Sequence, residues 1–135
     1  MERIFQTLGL LGLGLIVLVS VIPGSLRPHT SMSGYAEHFA AYAIVATCLA
    51  LGWRSPLLHA AIVISSFTIG NILEAAQLLI PDRSADTTSA LFSGAGGLCG
   101  VVLAFLLVSV WRALSIPSAQ GQRHLKHAPS ARKKA

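Results

Sequence analysis

The sequence predicts an all-α protein, namely a four-helix transmembrane bundle with short loops and a disordered basic C-terminal tail. Of its 135 residues, 53% are hydrophobic and only 11% are charged, whereas charged residues make up about a quarter of an ordinary soluble domain. The mean hydropathy is +0.68, and four apolar stretches are each long enough to cross a bilayer. This composition excludes a disordered chain, a disulfide scaffold and a typical cytosolic enzyme. We expect a membrane domain over residues 1–113 and a tail over residues 114–135.

The first helix is predicted over residues 4–22, a stretch without charged side chains. At about 1.5 Å per residue it would span roughly 29 Å, close to the thickness of the bilayer hydrocarbon. A secretory signal peptide is the alternative, because Arg3 precedes the apolar run. Pro23 and Gly24 follow where a cleavage site of small residues would be expected. We therefore interpret this helix as a retained anchor.

The second and third helices are predicted over residues 34–53 and 56–79. Ser33 is a suitable N-cap for helix two, and Trp53 is an aromatic residue of the kind found at membrane interfaces. Ser55 and a proline at the next position have the order expected at the start of helix three. This helix should end ahead of Pro81, because proline disfavours helical geometry in the preceding residue.

The fourth helix is predicted over residues 88–111, with Asp86 and Thr87 as candidate caps. Small residues repeat along it at intervals that allow membrane helices to approach closely. They are Gly94, Gly96, Gly97 and Gly100. A nucleotide-binding loop is not supported, because no strand precedes these glycines. We therefore expect them to form a packing surface.

The distribution of Lys and Arg predicts the orientation. Four crossings place both termini and the turn at Arg54 on one side, which carries eight Lys or Arg residues, against only Arg27 and Arg83 on the other. Positive loops favour the cytoplasm, so we expect a multi-pass membrane protein with cytoplasmic termini. Six of the eight lie from Arg112 onward, where they favour contact with anionic lipid but need no dedicated ligand.

No nucleic-acid surface, metal site or cofactor site is predicted. Basic residues are not interleaved with aromatic ones outside the tail. Cys48 and Cys99 lie in apolar runs, where cysteine acts as a small hydrophobic residue, and the common zinc-binding spacings are missing. The expected partners are membrane lipid and a further membrane protein.

The predicted orientation brings the ionisable residues of the membrane domain to its external end. Helix two begins there with Glu37 and His38, and helix three ends there with Glu74 and Gln77. An acid within a membrane helix costs about 2.5–3.5 kcal/mol at mid-depth. Glu74 therefore needs a partner, and we expect this to be Arg83 or His38.

The candidate ligand-binding residues share this end of the molecule or the same face of helix three. They are His38, Glu74, Gln77, Arg83, Asn71 and Arg27. Simpler roles remain open for several of the polar residues. Glu37 would complement the helix dipole, Asp86 would cap helix four, and Glu74 with Gln77 would form a polar clasp between helices. No catalytic residue is assigned, and an enzyme is the less favoured interpretation.

The chain resembles the VanZ-like membrane proteins over roughly residues 20–104. The motifs that carry the resemblance are Pro23-Gly24, Glu37-His38-Phe39, the Gly-rich fourth helix, and Glu74-x-x-Gln77 followed by Pro81-x-Arg83. The family's namesake is associated with reduced susceptibility to the glycopeptide teicoplanin, and some relatives are linked with surface polysaccharide. The resemblance implies a small helical protein of the bacterial inner (cell) membrane and nominates His38, Glu74, Gln77 and Arg83. It adds a lipid-linked glycan or an acylated glycopeptide to the expected partners.

The chain departs from the family pattern at four positions. Gly34 and Tyr35 stand where Asp-Lys is common, and Ser89 and Ser93 stand where Asp and Asn are common early in helix four. Asp86 is a candidate replacement for the first acid, but from a different turn.

Three functions follow from these observations. The first is binding of the polar head of an amphiphile by the external residues. The second is a structural or accessory subunit, in which the same residues lock the helices together. The third is a membrane-embedded enzyme acting on a lipid headgroup, with Glu74 or His38 as general base.

Overall fold

The computed structural model describes residues 1–26, 31–80 and 85–115. This part of the chain contains four long helices and one short 3₁₀ turn at Gly24–Leu26. The helices are α1 (Glu2–Val21), α2 (Gly34–Gly52), α3 (Pro56–Gln77) and α4 (Thr87–Ser115). By length and composition, all four are long and apolar enough to cross a membrane. The predicted all-α fold with four membrane-spanning helices is confirmed.

Local sequence signals account for the helix ends around α2. The Ser33 hydroxyl accepts a hydrogen bond from the amide of Ala36 at 3.3 Å, as expected of an N-cap. At the other end, Nε2 of His59 lies 2.7 Å from the carbonyl oxygen of Trp53 and 3.3 Å from that of Ala50. His59 of α3 therefore satisfies carbonyl groups left open at the end of α2.

Helix α4 is longer than the sequence predicts. It begins at Thr87 and continues to Ser115, so residues 114 and 115 belong to the helix and not to the tail. No glycine or proline occurs between Gly100 and Pro117 to end it, and Arg112 in its last turn complements the helix dipole. The predicted disordered tail otherwise covers residues 116–135, which lie outside the described residues.

Helix α2 is the centre of the bundle, and α4 packs against it most extensively. The two helices run in parallel, with Gly96 beside Phe39 and Gly100 beside Ala43. A methyl group at either glycine would overlap the backbone carbonyl of α2, so only glycine permits this approach. The hydroxyl of Thr47 then lies 3.1 Å from the carbonyl oxygen of Gly100. The predicted packing surface on α4 is confirmed.

The other helices run antiparallel to their neighbours. Gly70 of α3 faces Ser93 of α4. Helix α1 lies on the outside of α2, and Nε2 of Gln6 donates to the carbonyl oxygen of Gly52 at 2.8 Å. The bundle therefore has two distinct ends. We call them the His38 end, where α2 and α4 begin, and the Trp53 end, where α2 ends and α3 begins.

The interior is built from small residues, and the large apolar side chains point outward. The buried apolar cluster consists of Ala46, Ala50, Ile62 and Ala104, whereas Leu11, for example, is 66% exposed. This arrangement suits a lipid surround, where helices associate through close packing and interhelical hydrogen bonds. Both cysteines are free thiols, as expected.

Candidate polar site at the His38 end

A group of interacting polar residues occupies the His38 end, between α2, α3 and α4. We call it the His38 cluster and define it as His38, Glu74, Asp86, Ser89 and Ser93. Nε2 of His38 lies 3.5 Å from Oε1 of Glu74, and the two side chains are 16% and 7% exposed. The expected pairing of Glu74 with His38 is therefore present.

Ser93 is the third side chain of the cluster and is fully buried. Its Oγ lies 3.2 Å from Nδ1 of His38 and 3.0 Å from the backbone oxygen of Ser89, to which it can donate. Ser93 at one ring nitrogen and Glu74 at the other orient the imidazole. Sequence reasoning treated Ser93 as a departure from a family pattern and missed this contact. Its signal was the small-residue spacing Ser93, Gly96, Gly100, which continues one face of α4.

The second carboxylate oxygen of Glu74 connects the cluster to the start of α4. Oε2 accepts a hydrogen bond from the backbone amide of Asp86 at 2.8 Å, and Oδ1 of Asp86 accepts one from the amide of Thr88, also at 2.8 Å. Asp86 therefore caps α4, which was one of its expected roles. The negative charge of Glu74 lies beside the positive end of the α4 dipole. One side chain of α3 thus contacts both α2 and the first turn of α4.

Asp86 is also held by Tyr35 from the first turn of α2. The Tyr35 hydroxyl donates to Oδ2 of Asp86 at 2.5 Å, and its ring stacks on Phe92 with the centroids 5.3 Å apart. This hydrogen bond, together with that from the Thr88 amide, lowers the pKa of Asp86 below its usual value. Sequence analysis noted Tyr35 only as a departure from a pattern.

The hydrogen bonds of the cluster can be satisfied in either protonation state of His38. With a neutral ring, the Nε2 proton points to Glu74 and the Ser93 hydroxyl donates to Nδ1. With an imidazolium, both nitrogens donate, and the Ser93 hydrogen turns to the oxygen of Ser89. The tautomer follows from this network, since hydrogen positions are assigned from hydrogen bonding. Each ring nitrogen of His38 therefore faces a polar partner in both states.

Two further polar residues lie close to the cluster. Tyr42, one turn beyond His38 on α2, is 3% exposed and lies near Ser93 and Glu74. Although Ser93 is a neighbour, no described group forms a hydrogen bond of acceptable geometry with the Tyr42 hydroxyl. Gln77, in the last turn of α3, is 4% exposed.

The side chain of Asn71 is less buried than those of Glu74 and Gln77. It is partly exposed, and its Nδ2 donates to the backbone oxygen of Phe67 within α3 at 2.9 Å. A spacing of three residues turns by about 300° in a helix, so each step drifts by about 60° from the last. Asn71 therefore lies at the edge of the surface that buries Glu74 and Gln77.

Arg27 and Arg83 lie outside the described residues. Arg27 belongs to the α1–α2 connection, between Leu26 and Ser31, and Arg83 belongs to the α3–α4 connection, between Ile80 and Ala85. Both connections are at the His38 end. The expected pairing of Glu74 with Arg83 therefore stays a prediction.

The chemistry available to the cluster is hydrogen bonding and charge rather than metal binding. Within residues 1–26, 31–80 and 85–115, no three His, Cys, Asp or Glu side chains are placed to hold a metal ion. The Ser93–His38–Glu74 contacts resemble a nucleophile, base and acid in series. The Ser93 hydroxyl, however, is enclosed between helices, with 0% of the residue exposed. A substrate would have to separate α2 from α4 to reach it, so the geometry favours binding or support over catalysis.

Comparison with known proteins gives no relative. No family model, no curated protein and no solved structure matches the chain.

Proposed function

We propose that the His38 cluster binds the polar headgroup of a membrane amphiphile, such as a lipid-linked glycan or an acyl-bearing glycopeptide. The observation that carries this proposal is the partly exposed His38 imidazole, backed by the buried carboxylate of Glu74. A histidine supported in this way offers a hydrogen-bond donor whose charge follows its surroundings. The same proposal includes membership of the VanZ-like family and a link to teicoplanin susceptibility or envelope polysaccharide, both of which rest on the motifs alone.

The charge distribution supports an anionic or sugar-bearing headgroup. Arg27 and Arg83 belong to the two connections at this end, where guanidinium groups would contact phosphate oxygens. Gln77 and the carboxylate of Asp86 would hydrogen-bond sugar hydroxyls or amide groups. The excess of Lys and Arg at the opposite end supports an external position for the His38 end in a bacterial cell membrane.

The test is native mass spectrometry of the purified protein with its copurified lipids. The native chain is compared with His38→Ala, Glu74→Ala and Arg83→Ala, each checked for folding by thermal unfolding in the same detergent. We expect one discrete glycolipid or polyprenyl species that is retained by the native chain and lost from folded variants. Bulk phospholipid that is unchanged across the set would contradict the proposal.

A structural role is the second candidate, and the two hydrogen-bonding directions of Glu74 favour it. This side chain contacts His38 of α2 and the backbone of Asp86 ahead of α4. As a subunit of a larger membrane complex, the chain would need the cluster only to hold its helices together. Glu74→Ala would then lower thermal stability, and no variant that keeps its stability would lose a bound species.

A further inference from the structure

A second feature of the bundle is a groove along α2 that reaches the Trp53 end, away from the exposed side of His38. Its floor is formed by α2 between Tyr42 and Trp53, and its walls are α1 and α3. Helix α1 rests on α2, whereas α3 packs mainly on α4 and touches α1 and α2 only slightly. The gap between α1 and α3 therefore opens sideways, in the part of the molecule that would lie within the hydrocarbon of the bilayer.

The dimensions of the groove limit what can fill it. Its volume is about 270 Å³, at the lower limit of the roughly 300–1,000 Å³ of pockets that enclose drug-sized ligands. Eleven residues separate Tyr42 from Trp53, which corresponds to about 16 Å along α2. This length is close to half of a hydrocarbon core of about 30 Å, that is, to one leaflet. The groove is therefore long for its volume, which suits a single extended chain.

The chemistry of the groove fits the chain and the head of a phospholipid. Ala61 and Ser65, one turn apart on α3, leave a narrow slot beside Val45 and Leu49 of α2. The Trp53 end adds an aromatic residue typical of membrane interfaces and, directly after it, the exposed side chain of Arg54. Nε of Arg54 lies 3.3 Å from Oε1 of Glu2, so a phosphate would be met by the Nη groups of the guanidinium. A guanidinium at this level would contact a lipid phosphate, while Tyr42 closes the groove at mid-depth.

We propose that this groove binds one acyl chain of a phospholipid from the leaflet at the Trp53 end, with the lipid phosphate beside Arg54. The site is separate from the His38 cluster, and Tyr42 forms the partition between them: its ring lines the groove and its hydroxyl lies near Ser93. The protein would thus hold a lipid of one leaflet beneath a site that faces the other leaflet.

The experiment uses the full chain in vesicles of phosphatidylcholine and phosphatidylglycerol, with a trace of phosphatidylglycerol that carries a diazirine in the middle of one acyl chain. After photolysis, adducts are located by peptide mass spectrometry. We expect them to concentrate on groove residues such as Leu49 and Ile62. Ala61→Phe, which fills the slot, should lower groove labelling several-fold, and so should Ser65→Leu.

The matched control is Ala60→Phe, which adds the same ring to the neighbouring exposed position outside the groove. It should leave groove labelling unchanged, and Arg54→Gln should lower it. Three results would each overturn the proposal. They are adducts spread evenly over the exposed faces of α1 and α4, groove labelling that is insensitive to Ala61→Phe or to Arg54→Gln, and crosslinks that join two copies of the chain through the groove. Because lipid retention by the His38 cluster is measured with different variants, this failure is distinguishable from failure of the proposed function.

Discussion

Glu74 is the residue on which the His38 cluster depends, because its two oxygens serve two different helices. One oxygen faces His38 and the other accepts the amide of Asp86. The need of Glu74 for a partner could be predicted from its place in an apolar helix. The contact with the Asp86 amide could not, since it depends on where the α3–α4 connection brings the chain back to α3.

Removal of the Glu74 carboxylate should destabilise the bundle. Hydrogen bonds to charged groups contribute about 1.5–3 kcal/mol, so we expect Glu74→Ala to lower the free energy of unfolding by about that amount. The measurement is thermal or denaturant unfolding in one detergent. Asn71→Ala is the control, because the hydrogen bond that the described residues give Asn71 lies within α3. A loss from it as large as that from Glu74→Ala would contradict this account.

The hydrogen bond between Tyr35 and Asp86 predicts that the stability of the fold depends on pH in the acid range. Because the folded-state pKa of Asp86 is lowered, its contribution is present above the unfolded value near 3.9 and is lost as the pH falls through the folded value. Tyr35→Phe removes the first cause of the lowered pKa. We therefore expect a smaller loss of stability between about pH 5 and pH 2 than in the native chain, measured by unfolding across that range. An identical acid profile would show that Tyr35 does not stabilise the carboxylate.

At the scale of the helices, the close pairing of α2 and α4 positions the residues of the His38 cluster. Small residues on one face of α4 let it approach α2 closely, and this close approach brings Ser93 within hydrogen-bonding distance of His38. The sequence shows that α4 will pack closely somewhere, because its small residues repeat at helical spacing. It does not show which helix will be the partner, since α2 and α3 both present small residues of their own. This ambiguity is why the role of Ser93 was missed while the packing role of the glycines was predicted.

Two glycine substitutions should have opposite effects. A Cβ on Gly96 would overlap the carbonyl of Phe39, whereas one on Gly14 would meet nothing within 4 Å. Overpacking typically costs 1–3 kcal/mol, so Gly96→Ala should lower the free energy of unfolding by about that amount. Gly14→Ala should raise it by up to about 1 kcal/mol, because alanine is the better helix former. Equal effects of the two substitutions would contradict the packing of α4 on α2.

At the scale of the whole molecule, four apolar helices and their approximate limits could be predicted from composition and helix-end signals. Asp86, Ser33 and Pro56 all lie at the helix starts where their residue types favour them. The extension of α4 to Ser115 was not predicted, because an interfacial Trp111 and a following Arg112 resemble a membrane boundary although nothing there interrupts the helix. A helix of 29 residues is about 43 Å long and exceeds the hydrocarbon core.

The orientation makes a prediction for the two ends of the bundle. Single cysteines are introduced at Ser31, at the His38 end, and at Ser55, at the Trp53 end, in a chain whose native cysteines are replaced by alanine. With cytoplasmic termini, a membrane-impermeant maleimide added to intact cells should label the first and not the second. The reverse pattern would place the His38 cluster on the cytoplasmic side and remove an external headgroup as its ligand.

The central claim is that the His38 cluster binds a headgroup, and a matched pair of histidines tests it most directly. His38 and His59 lie at opposite ends of the bundle, and each is partly buried and hydrogen-bonded. Native mass spectrometry of copurified lipids should show a discrete species that is lost from His38→Ala and retained by His59→Ala, with both variants folded. Retention by both, or equal loss from both, would contradict the claim and leave the cluster as a clasp between helices.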